Sequence, residues 1–353
     1  MAAGLSLTDL AQQTSSWMQG KGPEAQTILS SRVRLARNLQ ATSFPHRASP
    51  ETLQRVMDQV KYAGQQSSSL KRGIFLTMGE LATMDRIFLL ERHLVSHELA
   101  NAQRTCGLLL ENQEGLSVMV NEEDHLRIQA IVSGFQLEEA HRAVDRLDDE
   151  LESSLDYAFS EDWGYLTACP TNVGTGLRAS VLMHLPALVL TQRIEQTLRN
   201  IGQVGFMARG LYGEGTEVMG SFFQISNQAT LGRPEEEIIE GLVGLTGQIL
   251  RQEEEARGAL MASAQAEVED KIWRAYGILK YARQISSEDV MNLLSAVRLG
   301  IALGLITTLS IRTVNEVLIL TQPAHIQKRL GRNLGQTERD GERAKFVRER
   351  FSG

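Results

Sequence analysis

The chain has 353 residues, 42% of them hydrophobic, and a formal net charge of −7. That length allows two domains, the apolar fraction supplies a real core, and the acidic balance argues against general nucleic-acid binding. No apolar run is long enough to span a bilayer, and residues 1–20 lack a secretory pattern. Cys106 and Cys169, the two cysteines, fit a reduced cytoplasmic protein better than one held by a lone disulfide.

Residues 1–24 are predicted to form a helix and a loop, broken by Gly20, Gly22 and Pro23. Residues 28–35 alternate as a strand should, which puts Arg32 and Arg34 on one face and Val33 and Leu35 on the other. Residues 49–60 read as a helix with Ser49 as cap and Pro50 at its first position. Residues 79–100 also read as helical, with His93 and His97 one turn apart. Residues 107–110, 116–120 and 126–132 read as a meander of strands, and residues 137–159 as an amphipathic helix. The turn Cys169–Arg178 is expected to feed a helix, whose start would leave N–H groups free to meet an anion. Short strands follow at 202–207 and 219–226, then a helix over 234–257.

Beyond residue 257 only helices are predicted. Met261, Ala264, Val268, Ile272, Ala275 and Leu279 recur at helical steps. Ser286 with Asp289, and Thr313 with Glu316, resemble capping boxes, and Pro323 ends the second helix. Residues 337–351 form a charged helix. The expected division is an N-terminal segment 1–26, a mixed α and β domain 27–256 and an all-α domain 257–353.

The basic residues are mostly arginine. Of 36, seven are lysine, and none falls between Arg72 and Asp270. Neither a G-x-x-x-x-G-K-[ST] loop nor a kinase-strand lysine is present, so a phosphate bound here must be held by arginine. Arg32 and Arg34 repel each other unless an anion or paired acids sit between them. Asn121-Glu122-Glu123-Asp124-His125, with Arg127 just beyond, lies at a connection between strands, where catalytic groups often sit. Its spacing fits no standard metal-ligand set. It is either a charged turn or a device that holds a cation and takes its proton. Residues 209–217 carry three glycines, Arg209, Glu214 and Glu217, and read as a surface hairpin or a lid. Arg339 and Arg343 share a helix face and either clamp a phosphate or pair with acids.

Ser31-Arg32-Val33-Arg34, Asn121-Glu122-Glu123-Asp124-His125, Cys169-Pro170-Thr171-Asn172-Val173-Gly174-Thr175-Gly176-Leu177-Arg178 and Arg209-Gly210 occur in the order seen in the phosphagen (guanidino) kinases. The resemblance covers residues 27–255. The small helical domain that precedes the catalytic domain in those enzymes is missing, and a helical domain with Arg-Asp-x-x-Arg-Ala at 339–344 follows instead. Over essentially the whole chain that arrangement resembles the bacterial protein-arginine kinases.

The resemblance implies an α+β catalytic fold, an antiparallel sheet flanked by helices, followed by an all-α C-terminal domain. It implies transfer of the ATP γ-phosphoryl to arginine side chains of proteins, with Mg²⁺ carried by the nucleotide and no protein-ligated metal. Nucleotide contacts are expected from Ser30, Ser31, Arg32, Val33, Arg34, His93, Arg127, Arg178, Ala179, Ser180, Val181, Leu182, Arg209, Gly210, Leu211, Tyr212, Gly213 and Glu214. Glu122 or Glu123 would be the catalytic carboxylate and Glu214 the second one, while Cys169 would orient the guanidinium. Arg339, Asp340, Arg343 and Ala344 would bind phosphoarginine. The same resemblance implies a cytoplasmic, allosteric homodimer joined through the C-terminal domain. A zinc-binding activator protein would assist it, and marked proteins would pass to a Clp ATPase/protease in stress response and quality control. A phosphagen kinase for free arginine or another small guanidine, and a non-catalytic phosphoarginine-binding adaptor, are the alternatives.

Overall fold

The computed structural model describes residues 6–210 and 219–352. β1 (Ile28–Arg37) lies in the middle of an eight-stranded antiparallel sheet. On one side stand β5 (Leu126–Ser133), β4 (Leu116–Val120), β3 (Gly107–Leu110) and β2 (Ile74–Thr77). On the other stand β8 (Leu177–His184), β10 (Phe222–Asn227) and β9 (Phe206–Arg209). A separate hairpin of β6 (Phe159–Ser160) and β7 (Gly164–Tyr165) precedes the Cys169 turn. This is the α+β architecture expected, with an antiparallel sheet flanked by helices and an all-helical C-terminal part.

One face of the sheet carries the main core. Val33, Leu35, Ile128, Ala179 and Val181 pack there against α2 (Pro50–Gln66), α5 (Leu137–Glu152) and α8 (Glu235–Ser263). Ser49 caps α2 as expected, accepting the Thr52 N–H at 3.3 Å, with Pro50 at the first position. Among the described residues, the opposite face is covered only at its ends. At one end α3 (Thr83–Glu91) and α4 (His97–Asn101) pack on β2, β3 and Met119 of β4. At the other, Leu29, Ile131 and Leu182 meet Trp17, Met18 and the C-terminal helices. Those helices are α9 (Gln265–Tyr281), α10 (Ser287–Ala302), α11 (Ile311–Leu320), α12 (Pro323–Leu330) and α13 (Gln336–Phe351). Trp17 and Met18 are fully buried between the sheet and this helical region, and α8 runs unbroken through residue 257. α1 (Leu7–Gln12), α6 (Pro186–Leu190) and α7 (Ile194–Gln203) complete the described helices.

Four sequence expectations are corrected. The apolar stretch after the Cys169 turn is the strand β8, not a helix. β8 is buried on both faces apart from Arg178, so it shows no alternation, and a short apolar run of that kind does not reveal its period. The helix expected over 79–100 is two helices, because His93 adopts a left-handed backbone with φ 58°. The helix expected over 137–159 ends at Glu152, before the β6–β7 hairpin. The cap of α11 is Ser310, which accepts the Thr313 N–H at 3.1 Å, so Thr313 is inside the helix. Ser286 caps α10 as expected.

Candidate active site

Five arginines reach the uncovered face of the sheet from four strands. Arg32 and Arg34 come from β1, Arg127 from β5, Arg178 from β8 and Arg209 from β9. Register explains their convergence. Arg34 lies opposite Arg178 on one side and Gln129 on the other, so Arg127, two residues along, shares its face. Arg209 is opposite Gln224, Gln224 is opposite Leu182, and Leu182 is opposite Ser30. All five arginines line one cavity of about 550 Å³. With β8 a strand, the Cys169 turn offers no helix N-terminus to an anion, and guanidinium groups on strands line the cavity instead.

The electrostatics describe arginines crowded against one another. Burial, then Arg127 and Arg178, lower Arg32 to about 10. Burial followed by Arg32, Arg127 and Arg178 pushes Arg34 well below the ordinary arginine value. Guanidinium groups stay protonated in proteins, so this crowding translates into affinity for a polyanion. Within this cluster Glu122 pairs directly with Arg127. Both Glu122 oxygens lie close to Arg127 Nη1, at 2.7 and 2.9 Å, and Glu122 is 1% exposed. Burial alone would raise the Glu122 carboxyl, but Arg127, the Ser96 hydroxyl and Arg34 together hold it below its ordinary value.

Its neighbour Glu123 differs. It is half-buried and lines the cavity. Burial and the adjacent Asp124 raise its carboxyl, although Arg127 and a hydrogen bond with Cys169 pull the other way. Cys169 is partly exposed to the same cavity, with its Sγ 3.0 Å from Thr171 Oγ1. Glu123 and Cys169 therefore stand together in the cavity that the arginines line.

Buried polar contacts fix these two groups. Asn38 donates from Nδ2 to Asp124 Oδ1 at 2.6 Å and to the Leu166 carbonyl at 3.0 Å, and its Oδ1 accepts the His125 N–H. Asp124 Oδ1 also accepts the Ala168 N–H at 2.7 Å, which links the acidic turn to the residue before Cys169. His125 is structural: its Nδ1 accepts the Leu39 N–H, its Nε2 meets the Ser43 carbonyl, and burial lowers it to about 4. Arg104 donates to the carbonyls of Asn121 and Glu122. At the far end of the turn, Arg37 donates to the Thr175 carbonyl at 2.8 Å, pairs with Asp148 at 2.6 Å and stacks on Tyr165. Gly176, with φ +68°, has no room for a side chain: a Cβ there would lie 2.6 Å from the Ala36 carbonyl oxygen.

The remaining expected site residues separate by strand parity. Ser30, Arg32, Ser180, Leu182 and His93 surround a small recess beside the main cavity. His93 lies edge-on to Trp17 at 5.5 Å, its carbonyl accepts from Gln129 Nε2, and burial followed by Arg32 lowers it to about 3, so it is neutral. Val33, Ala179 and Val181 lie in the core on the other face. Ser31 is buried too, donating to the Gly134 carbonyl and accepting the Gln136 N–H. Gly210 is buried at the end of β9. Leu211, Tyr212, Gly213, Glu214 and Glu217 lie outside the described residues.

In the C-terminal region Arg343 is 1% exposed. It donates to the carbonyls of Thr321 and Ile285 at 2.8 and 2.9 Å and pairs with Asp340. Arg339 and Asp340 are partly exposed, and Ala344 is buried. Asn38, Arg37, Arg104, Ser96 and Gln129 were not among the expected site residues. The polar pair Arg37-Asn38, directly after Leu35-Ala36 at the end of β1, is the one sequence signal that points to any of them.

Comparison with known proteins agrees with this geometry. Residues 55–256 match the ATP:guanido phosphotransferase C-terminal catalytic domain, and residues 265–353 match the protein-arginine kinase McsB C-terminal domain. The protein-arginine kinase of Halothermothrix orenii is 47% identical over 349 residues, covering 99% of this chain and 100% of that one. The protein-arginine kinase of Bacillus subtilis is 47% identical over 339 residues, covering 96% of this chain and 93% of that one. Among solved structures, the duplicated taurocyamine kinase of Schistosoma mansoni superposes with a TM-score of 0.61 at 26% identity, covering 66% of this chain and 34% of that one. With this likeness over its full length, the chain belongs to the protein-arginine kinase family of ATP:guanido phosphotransferases.

Proposed function

We propose that this ATP-dependent protein-arginine kinase transfers the γ-phosphoryl to a substrate guanidinium held between Glu123 and Cys169. The observation that carries this reading is the division of labour between adjacent carboxylates. Both line the cavity, but Glu122 is buried and committed to Arg127, whereas Glu123 is half-buried with a raised carboxyl beside Cys169. A guanidinium has a pKa above about 12 and is a poor nucleophile while protonated. Glu123 accepts hydrogen bonds from it and takes its proton as the N–P bond forms and the bond from phosphorus to the ADP oxygen breaks. Cys169 fixes the orientation of the acceptor. Arg32, Arg34, Arg127, Arg178 and Arg209 hold the polyphosphate and neutralise charge on the transferring group, so catalysis is mostly positioning and electrostatics.

Among the described residues, no group of three or more His, Cys, Asp or Glu side chains could hold a metal ion. A bare cation also does not suit a floor of arginines. As the family resemblance implies, Mg²⁺ would enter on the nucleotide, where it would supply further neutralisation of phosphate charge.

The test is incubation with ATP, Mg²⁺ and an unfolded arginine-bearing protein, followed by mass spectrometry for acid-labile phosphate on arginine. Glu123→Gln should lower kcat by about a hundred- to ten-thousandfold with little change in the KM for ATP. Wild-type turnover by that variant would refute the base assignment. Preference for free arginine over the protein would favour the small-guanidine reading.

The C-terminal region supports further parts of the proposal. Trp273 and Tyr281, two turns apart on α9, are 48% and 68% exposed, which fits a homodimer contact. Arg339 and Asp340 offer a partly exposed cation and anion suited to a phosphoarginine effector. No described helix is long and apolar enough to cross a membrane. That fits a cytoplasmic role in marking proteins for a Clp-type protease under stress, aided by a zinc-binding activator, as the family resemblance implies.

A further inference from the structure

The Cys169–Arg178 turn has a second face, turned away from the arginine cavity. On one side Cys169, Thr171 and Asn172 line that cavity. On the other, Gly174 and Thr175 line a separate open groove of about 600 Å³. The β6–β7 hairpin forms one wall, tied to the turn by the Tyr165 N–H donating to the Gly174 carbonyl at 2.8 Å. Gly174 has φ +107°, and a Cβ there would lie 2.6 Å from the Thr230 carbonyl oxygen, so the turn and the segment after β10 are held in close contact.

Three large apolar side chains line this groove uncovered: Phe159 at 55%, Trp163 at 57% and Leu231 at 49% exposure. Single exposed apolar residues are ordinary, but a group of them around one groove indicates something that covers it. The rim is acidic. Asp162 stands on the hairpin with exposed Glu161 beside it, and exposed Glu236 follows Glu235 at the start of α8, where Glu235 already meets His141 at 2.8 Å. Arg233, the basic residue in the lining, already lies 3.7 Å from Glu237. Aromatic faces combined with carboxylates suit a cationic, extended polypeptide, whose basic side chains stack on the rings and pair with the acids.

We propose that this groove is a docking subsite for the protein substrate. It takes the unfolded stretch flanking the acceptor arginine, and prefers stretches in which a second, non-reacting basic residue stands beside an apolar one. The inference rests on the phosphotransfer reading above: a chain that presents one arginine to Glu123 and Cys169 continues around the turn into the groove. It would make the enzyme select unfolded segments by their flanks, which a small guanidine lacks.

The test compares three peptides on the full-length protein. One is a short blocked peptide with a single arginine. Two are 15-residue peptides with the same arginine, flanked either by Lys and Leu or by Gly and Ser. The Lys/Leu peptide should have a KM lower than the Gly/Ser peptide by about tenfold. Phe159→Ser with Trp163→Ser should abolish that advantage, leaving kcat and the short peptide unchanged. Asp162→Lys, a surface change, should raise the KM of the Lys/Leu peptide alone. Equal KM values in wild type, or an advantage that survives both variants, overturns the proposal. So does loss of self-association in the double variant with peptide KM unchanged, which would make the groove an interface between copies of the chain. Docking is also read without turnover: in a Trp273→Phe background, the Lys/Leu flank lacking arginine should change Trp163 fluorescence in a saturable way. Absence of that change overturns the groove, whereas saturable binding with no phosphate transferred to any peptide would instead refute the phosphotransfer reading.

Discussion

Replacing Glu122 by Gln keeps the side chain's shape and removes one charge. The carboxylate is 1% exposed and its closer oxygen is 2.7 Å from Arg127, whose side chain is 22% exposed. Breaking a buried ion pair by removing one partner costs about 3–5 kcal/mol. Solvent reaching Arg127 puts this pair at the lower end, about 3 kcal/mol. The unfolding entropy of a chain this long is about 0.7 kcal/mol per kelvin, so Tm should fall by about 4 °C. Since the Glu122 carboxyl is held below its ordinary value of 4.5, its stabilisation is present above that value and is lost as pH falls through the folded pKa. Wild type and variant should therefore converge in acid. The variant also leaves Arg32, Arg34, Arg127 and Arg178 with one anion fewer, so ADP should bind more tightly. Calorimetric melts at several pH values and ADP titrations check both effects. An unchanged Tm, or weaker ADP binding, would refute the reasoning.

A further prediction concerns the contact between the sheet and the C-terminal helices. Glu91 accepts the N–H groups of Ala324 and His325 at the start of α12, both at 2.8 Å, and burial raises its carboxyl from 4.5 to about 7. The folded protein thus binds this proton more tightly than the unfolded one. The group's contribution is fully present below pH 4.5 and is lost as pH rises through 7. Glu91→Gln should remove a pH-dependent loss of about 3 kcal/mol, seen as a smaller Tm difference between pH 5 and pH 8; an identical difference in both proteins would count against it. In the C-terminal region, Arg343→Ala should lower Tm by leaving the Thr321 and Ile285 carbonyls without their donor. Arg339→Ala should leave Tm unchanged while weakening phosphoarginine binding measured by calorimetry. Equal melting effects would erase the distinction drawn between the two arginines.

Much of the site was legible because strand parity is a local property. The two-residue period puts Arg32 and Arg34 on one face without reference to any partner, and the acidic run at 121–125 falls in the connection between two recognisable strands. The motifs and their order led to the right family. Local pattern failed where burial or backbone geometry removed the signal. β8 is covered on both faces, so its apolar run looked helical. The left-handed backbone at His93 breaks a helix that composition alone extends to residue 100. Glu122 and Glu123 are chemically identical neighbours until Arg127 takes one of them.

Residue types and spacing by themselves determined which charges this protein has available, a set of arginines with no lysine between Arg72 and Asp270 and an acidic run at 121–125. Tertiary structure decided how they meet. Placing β1 between β5 and β8 sets Arg34 opposite Arg178, although 143 residues separate them in the chain. Asn38 and Asp124 join the acidic turn to the segment before Cys169 through buried hydrogen bonds. Sheet order and burial arise from long-range packing, which no local period encodes, and they alone separate a carboxylate tied to an arginine from one left facing the cavity.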